Sequence, residues 1–217
     1  ILRGFILPKF FLENCGAYLA AIRSIGRTEE YFYMPVFESA AMIPPQTRRE
    51  ALTEVRAQLD TVSGSILNIR VGGNDLSHAF GLRRPANRTI YDLRPVADIL
   101  IDIVAAFGTQ YVVSGPVWEY YSGEGWEEGL RREMELDLLN GFTGKTVIHP
   151  NQIPVVNEML RVSQRDYADA RAILNWDTGS GSLVSASEDG GRMNEYNTHS
   201  RWARRIVLRA ERYGVRA

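Results

Sequence analysis

Up to Pro150 the chain alternates between strand-like and helix-like segments, and no other feature of the sequence constrains the fold as tightly. "GFILP" (Gly4–Pro8) is a short apolar run, and "NCGAYLAAIRSI" follows with helical spacing. "YFYMPVF" (Tyr31–Phe37) is aromatic and β-prone. "TRREALTEVRAQLDTV" then places Ala51, Leu52, Val55, Leu59 and Val62 on one stripe of an amphipathic helix. "SILNIRV" reads as a strand, "LRPVADILIDIVAAFG" as a helix ending at Gly108, "YVVSG" as a strand, "EEGLRREMELDLLN" as a helix and "TVIHP" as a fifth strand. Strands separated by helices in this way imply a parallel sheet with the helices outside it.

Beyond Pro150 the pattern changes. "IPVVNEML" and "QRDYADARAILNW" read as helices, "DTGSGSLVSASEDGG" as a flexible Gly/Ser linker, and "SRWARRIVLRAERYG" as a terminal helix with a basic face. Two destinations for that helix stand side by side. It docks on a neighbouring subunit across the Gly179–Gly191 linker, or it completes its own core. The expected contacts are Trp202, Ile206, Val207 and Ala210, with Arg204, Arg205 and Arg209 left to solvent or acidic groups. The division expected is a barrel domain over 1–160 and a helical extension over 161–217.

Composition narrows the function classes. With 25 Lys and Arg against 26 Asp and Glu, the net charge of -1 lacks the basic face that general nucleic-acid binding needs. The single cysteine, Cys15, excludes an intrachain disulfide framework and fits a reducing, cytoplasmic setting. No apolar run approaches the length of a membrane span.

"GFTGKTVIHPNQI" (Gly141–Ile153) contains Gly-Lys-Thr, the end of a phosphate-gripping loop. Such a loop needs a glycine five residues before the Gly-Lys pair, a strand before it and a helix after it. Leu139 stands at the glycine position, and the order here is helix, turn, strand. Gly141 and Gly144 read instead as a helix C-cap and a tight turn, so no nucleotide site is expected.

In parallel α/β folds functional groups gather at the C-terminal ends of strands. Lys9 follows the first strand, Glu38 the second, Gly72 to Asp75 the third, "GPVWEYY" the fourth and His149 the fifth. Glu38 and Asp75 follow consecutive strands, so their carboxylates are expected to converge as a hard-oxygen site suited to Mg²⁺ completed by water and substrate. The rival reading makes one a helix cap and the other a solvated side chain. Gly72, Gly73 and Asn74 turn backbone N–H groups inward as a nest for a carboxylate substrate, or serve only the turn. Arg83, Arg84 and Arg88 hold an acidic substrate or form a solvated basic loop. His149 is expected to be a satisfied core histidine, and His78 and His199 lack metal-ligand spacing. Trp118, Tyr120 and Tyr121 offer stacking faces for a ring or belong to the core.

These motifs, "GFILPK", "MPVFES", "VGGNDLSHAFG", "GFTGKTVIHPNQIPVVNEM" and "DGGRMNEYNTHSRWARRI", resemble in content and order those of the citrate lyase beta-subunit / HpcH-HpaI aldolase family. "IYDLRPVADILIDIV" and "SGPVWEYY" look like its C–C bond lyase branch from tellurium-resistance gene clusters. The resemblance spans essentially the whole chain. It implies an α/β fold of the (β/α)8 TIM-barrel type, of which this chain carries the last five strands as a partly open barrel with a C-terminal helical extension. A closed barrel has eight strands and about 250 residues. The resemblance assigns Mg²⁺ to Glu38 and Asp75, and a carboxylate or acyl-CoA substrate to the backbone around Gly73, Asn74 and Asp75. It further implies a homo-oligomer, a trimer or larger, and C–C bond cleavage or formation through a metal-stabilised enolate. The family's acidic Asp-x-Glu-Asp motif and carbonyl-binding arginine would precede Ile1, so no catalytic residue is assigned within the chain. Where some relatives place a lid aspartate, Asn194 stands beside Glu195. A catalytically weak barrel serving binding or assembly in a larger complex is the alternative.

Overall fold

A computed structural model describes residues 2–25, 31–176, 184–188 and 190–216. The chain divides into two compact units, Ile1–Val155 and Val156–Ala217.

The first unit is built from alternating strands and helices: β1 (Gly4–Leu7), α1 (Leu12–Ser24), β2 (Phe32–Phe37), α2 (Pro45–Asp60), β3 (Ile69–Val71), α3 (Gly73–Ala79), α4 (Arg94–Phe107), β4 (Val113–Gly115), α5 (Trp126–Leu139) and β5 (Gly144–Lys145). The five strands form one sheet in the order β1-β2-β3-β4-β5, every neighbouring pair parallel. β1 and β5 are its two edges, so the sheet is an open portion of a barrel.

Alternate side chains of a strand point to opposite faces, and the register sorts them. Leu7, Tyr33, Phe37, Ile69, Val71 and Val113 face outward into a core with Leu19, Leu52, Val55, Ile99, Ile103 and Phe107 of the helices. The inner face carries Ile6 and Met34 as one register pair, then Val36, Arg70, Ser114 and Gly144 as a row across β2 to β5. The α2 stripe is as its spacing predicts: Ala51, Leu52, Val55 and Leu59 are buried and Val62 packs beside them. Pro45 opens that helix at a position where its missing N–H costs no bond.

The fifth strand differs from expectation. It is Gly144–Lys145, and the 146–150 stretch is irregular apart from Thr146 N–H, which donates to the Gly115 carbonyl at 3.1 Å. The apolar pair Val147 and Ile148 suggested a buried strand, yet both are exposed, and the buried apolar anchor is Phe142. Gly144 is therefore an extended strand residue, whereas Gly141, with φ +95°, turns the chain after α5 where an L side chain would be strained.

The second unit follows α6 (Gln152–Met159) with β6 (Val162–Ser163), α7 (Gln164–Leu174), β7 (Val184–Ala186), β8 (Met193–Glu195), α8 (Tyr196–Tyr213) and β9 (Val215–Arg216). β7 and β8 pair as an antiparallel hairpin, so part of the supposed linker is ordered structure; 177–183 and 189 lie outside the described residues. The helix α8 packs on α7 of its own chain, burying Ala203, Ile206 and Ala210 against Val162, Ala170 and Ile173, with Trp202 and Val207 alongside. This is the core-completing arrangement of the two. Among the described residues no helix is long and apolar enough to cross a membrane.

Candidate functional site

The C-terminal ends of β1, β2 and β3 bring three charged residues together. Lys9 donates its backbone N–H to Glu38 Oε1 at 3.0 Å and its ammonium to Asp75 Oδ1 at 2.8 Å. One lysine thus joins the two carboxylates that the strand order places side by side. Its peptide is tightly held: Asn14 Nδ2 donates to the Lys9 carbonyl at 2.7 Å, and the Tyr18 hydroxyl to the Pro8 carbonyl at 2.9 Å. Lys9 has φ +50°, the left-handed region, which a non-glycine residue keeps only when its surroundings over-determine it. The hydrogen bond to Asp75, then the charges of Asp75 and Glu38, hold the exposed Lys9 ammonium above its ordinary pKa.

Glu38 lies against the backbone of Gly72, where a Cβ would collide with Oε2 and Cβ of the glutamate. Only glycine at 72 leaves room for this carboxylate. Gly72 also caps α3, whose first turn is Gly73, Asn74 and Asp75. The first N–H groups of a helix have no partner inside it, so the backbone expected to receive a carboxylate opens beside Asp75. Asn74 Oδ1 is buried without a hydrogen-bond partner.

The donor set fits a magnesium ion. Two carboxylates from adjacent strand ends, one set over a glycine, supply hard oxygens and leave the remaining positions to water and substrate, as Mg²⁺ prefers. Among the described residues no group of three or more His, Cys, Asp or Glu surrounds a common point, so the two carboxylates alone would hold it.

Other candidates divide by burial. Arg84 is fully buried and pairs with Glu133 at 2.9 Å, Arg83 pairs with Glu119 at 2.8 Å, and Arg88 lies 3.6 Å from Asp92. Arg84 is thus part of the fold, contrary to a solvated loop. Trp118 is buried with its indole N–H on the Trp126 carbonyl, while the exposed Tyr121 stacks on His149 at 4.3 Å between ring centroids. His149 is half-buried, and its Nδ1 accepts the Asn151 N–H at 3.2 Å. His199 Nδ1 accepts the Glu195 N–H in the same manner.

Sequence reasoning missed three roles. Lys145 is buried and donates to Glu133 at 2.7 Å and Asp137 at 2.8 Å, which leaves no ammonium for a phosphate. Gln152 is buried and donates to the Trp118 and Tyr120 carbonyls, both at 2.8 Å, fastening the turn after β5 to the loop after β4. Asn194 is buried and donates to Asp169 at 3.0 Å, which holds the hairpin on α7. The buried Glu133 and Asp137 stand four apart on α5, a one-face spacing visible in the sequence.

A parallel sheet with charged groups at its C-terminal rim is a common frame, and comparison with known proteins specifies which one. The profile of the family described as C–C bond lyase of the TIM-barrel fold matches residues 1–215. The chain belongs to that family. This C–C bond lyase family member is 38% identical over 74 residues to the L-malyl-CoA/beta-methylmalyl-CoA lyase of Cereibacter sphaeroides, a stretch that is 33% of this chain and 22% of that relative. A citrate lyase from Burkholderia xenovorans LB400 superposes with a TM-score of 0.70 over 99% of this chain and 65% of that one, at 16% identity. The CitE protein of Mycobacterium tuberculosis, solved with magnesium, acetoacetate and coenzyme A, gives a TM-score of 0.60 over 95% of this chain and 77% of that one, at 20% identity. Both likenesses show the fold: the open five-stranded sheet is part of a TIM-type barrel.

Proposed function

We propose that this lyase-family chain carries the metal and carboxylate sites of a Mg²⁺-dependent C–C bond lyase or aldolase acting on a 2-oxo acid or acyl-CoA-type substrate. One observation carries the reading: at the ends of adjacent strands Lys9 binds both carboxylates, Glu38 through its backbone N–H and Asp75 through its ammonium. The magnesium, acetoacetate and coenzyme A held by the structural neighbour support the same choice of ion and substrate class. Glu38 and Asp75 would hold the ion. When bound, it supplies a Lewis acid for the negative charge of an enolate formed as a C–C bond breaks or forms. The backbone N–H groups of Gly73, Asn74 and Asp75 would orient the substrate carboxylate, and Lys9 would keep positive charge at the rim. The reading includes a homo-oligomeric assembly, a trimer or larger.

Thermal unfolding with and without magnesium tests the site. A ligand that binds only the folded state stabilises it by about 2.7 kcal/mol at a concentration of about 100 Kd. Magnesium is expected to raise the Tm of the wild type and to leave that of Glu38→Gln unchanged. Equal stabilisation of both proteins would reject Glu38 as a ligand.

A further inference from the structure

The inner face of the sheet holds one charged side chain beneath the candidate metal site. Ile69 and Val71 point outward into the apolar core, so Arg70 between them points inward. Its register partners are Val36 on β2 and Ser114 on β4. Two residues further along the same strands, on the same face, come Glu38 and Gly72. Arg70 therefore starts one layer below the carboxylates. Its Nε donates to Thr146 Oγ1 at 3.4 Å. Ser114 is in register with Gly144, so Thr146 stands one layer above Arg70, level with Glu38 and Gly72. The guanidinium thus rises from its own layer toward that of the carboxylates.

Most guanidiniums of the first unit are ion-paired. Arg48 has Asp102, Arg83 has Glu119, Arg84 has Glu133, and Arg94 has Asp98. Among the described residues no carboxylate pairs with Arg70, and its hydrogen bond to Thr146 is long. A half-buried guanidinium has lost part of its water, and an anion in the barrel offsets that loss. A polar neighbour, Asn68, lies on the same floor. Asn68 donates its amide to Ser114 Oγ at 2.6 Å, and its Oδ1 is buried with no partner. A half-buried cation on the inner face, hydrogen-bonded to Thr146 and with no carboxylate partner among the described residues, describes a subsite for a small oxygen-rich anion.

We infer that Arg70, with Thr146 beside it, anchors an anionic or carbonyl oxygen of the substrate from the barrel floor. This position is separate from the α3 backbone and faces the metal site from below. The substrate class rests on the proposed lyase reading: a short carboxylate with a second oxygen function close by, one end at α3 and the other over Arg70. The planar fork of arginine suits two oxygens at once.

Calorimetric titration of the protein with oxalate, with and without saturating magnesium, tests the assignment. Arg70→Met is expected to weaken oxalate binding roughly tenfold to a hundredfold, the loss of a charge-assisted hydrogen bond. Arg70→Lys should restore part of it, and magnesium should still stabilise both variants. Oxalate bound equally by wild type and Arg70→Met, or not bound by wild type in either condition, overturns the inference. If Arg70→Met does not fold, Thr146→Val and Arg70→Lys decide: severalfold weaker binding supports the subsite, and unchanged binding overturns it. The metal reading fails separately, since a wild type that binds oxalate through Arg70 without any response to magnesium would retain the subsite and lose the ion.

Discussion

Lys9 binds both carboxylates proposed to hold the divalent ion. Its ammonium sits 2.8 Å from Asp75 and its backbone is committed to Glu38. A bound cation would meet repulsion from this charge, so Lys9→Met is expected to tighten magnesium binding severalfold, read by calorimetric titration. Weaker binding would show instead that the lysine assembles the site. Gly72→Ala tests the other side of the carboxylate. The new Cβ would strike Glu38 Oε2, and the forced shift should cost about 1–3 kcal/mol of stability and remove the magnesium-dependent gain in Tm. Equal magnesium stabilisation of Gly72→Ala and wild type would refute the close packing. Glu38 and Asp75 were legible as a pair because each follows a strand and the strands are consecutive. Lys9 was legible only as a residue after the first strand. The sign of a backbone φ and the direction of a surface ammonium leave no periodic trace. Arg70 was hidden differently, inside a strand whose alternation could be read but whose inner face could not.

At the scale of elements, legibility followed burial periodicity. α2 and α4 were placed well because an apolar stripe and a proline or glycine boundary marked each of them. The fifth strand was displaced toward Val147 and Ile148, because what fixes its true position is the ion-paired Lys145 and the buried Phe142, not an apolar run. The β7–β8 hairpin was concealed by Gly/Ser composition. What orders it is Arg192, which donates to Asp166 at 2.9 Å and to Asp169, and lies over Trp202. The turn leading into α4 has a sharper signature. Asp92 accepts the Thr89 N–H at 2.7 Å and its hydroxyl at 3.0 Å. The backbone hydrogen bond from Thr89, opposed by some burial and aided by the hydroxyl and Arg88, holds the Asp92 carboxyl below its usual pKa. A carboxyl depressed on folding adds stability that is full above the unfolded value of about 3.9 and is lost as pH falls through the folded one. Asp92→Ala should therefore cost about 1 kcal/mol near pH 7, solvent screening included. The gap to wild type should close in denaturant titrations below about pH 4. A gap that persists in acid would assign the loss to packing alone.

At the scale of the first unit, the deepest electrostatic feature is a closed charge cluster away from the candidate site. Arg84, Lys145, Glu133 and Asp137 are all buried. Glu133 also accepts the Ile90 N–H at 2.7 Å, and Asp137 the Tyr91 hydroxyl at 2.7 Å. Through these bonds β5, α5, the segment after α3 and the turn before α4 are tied together. Arg84 also lies 3.7 Å from Glu119, which pairs with Arg83, so three cations face three anions, and removing one buried partner leaves a charge uncompensated. Lys145→Met is expected to destabilise the protein by about 3–5 kcal/mol, or roughly 6–20 °C in Tm for a chain of this size. ATP should protect neither wild type nor variant from unfolding, since the lysine of the Gly-Lys-Thr stretch is spent within the fold. The pH dependence identifies the cause. Burial already pushes the Asp137 carboxyl above its usual pKa, with Lys145 opposing the rise. Without Lys145 the folded value rises further. A carboxyl raised on folding has its stabilising protonated form intact below the unfolded value of about 3.9, and loses that contribution as pH climbs through the folded value. The deficit of Lys145→Met should therefore be larger at pH 8 than at pH 5, and adding Asp137→Asn should recover part of it at pH 8. A deficit equal at both values, with no recovery in the double variant, would mean that lost packing of the lysine stem outweighs the buried charge.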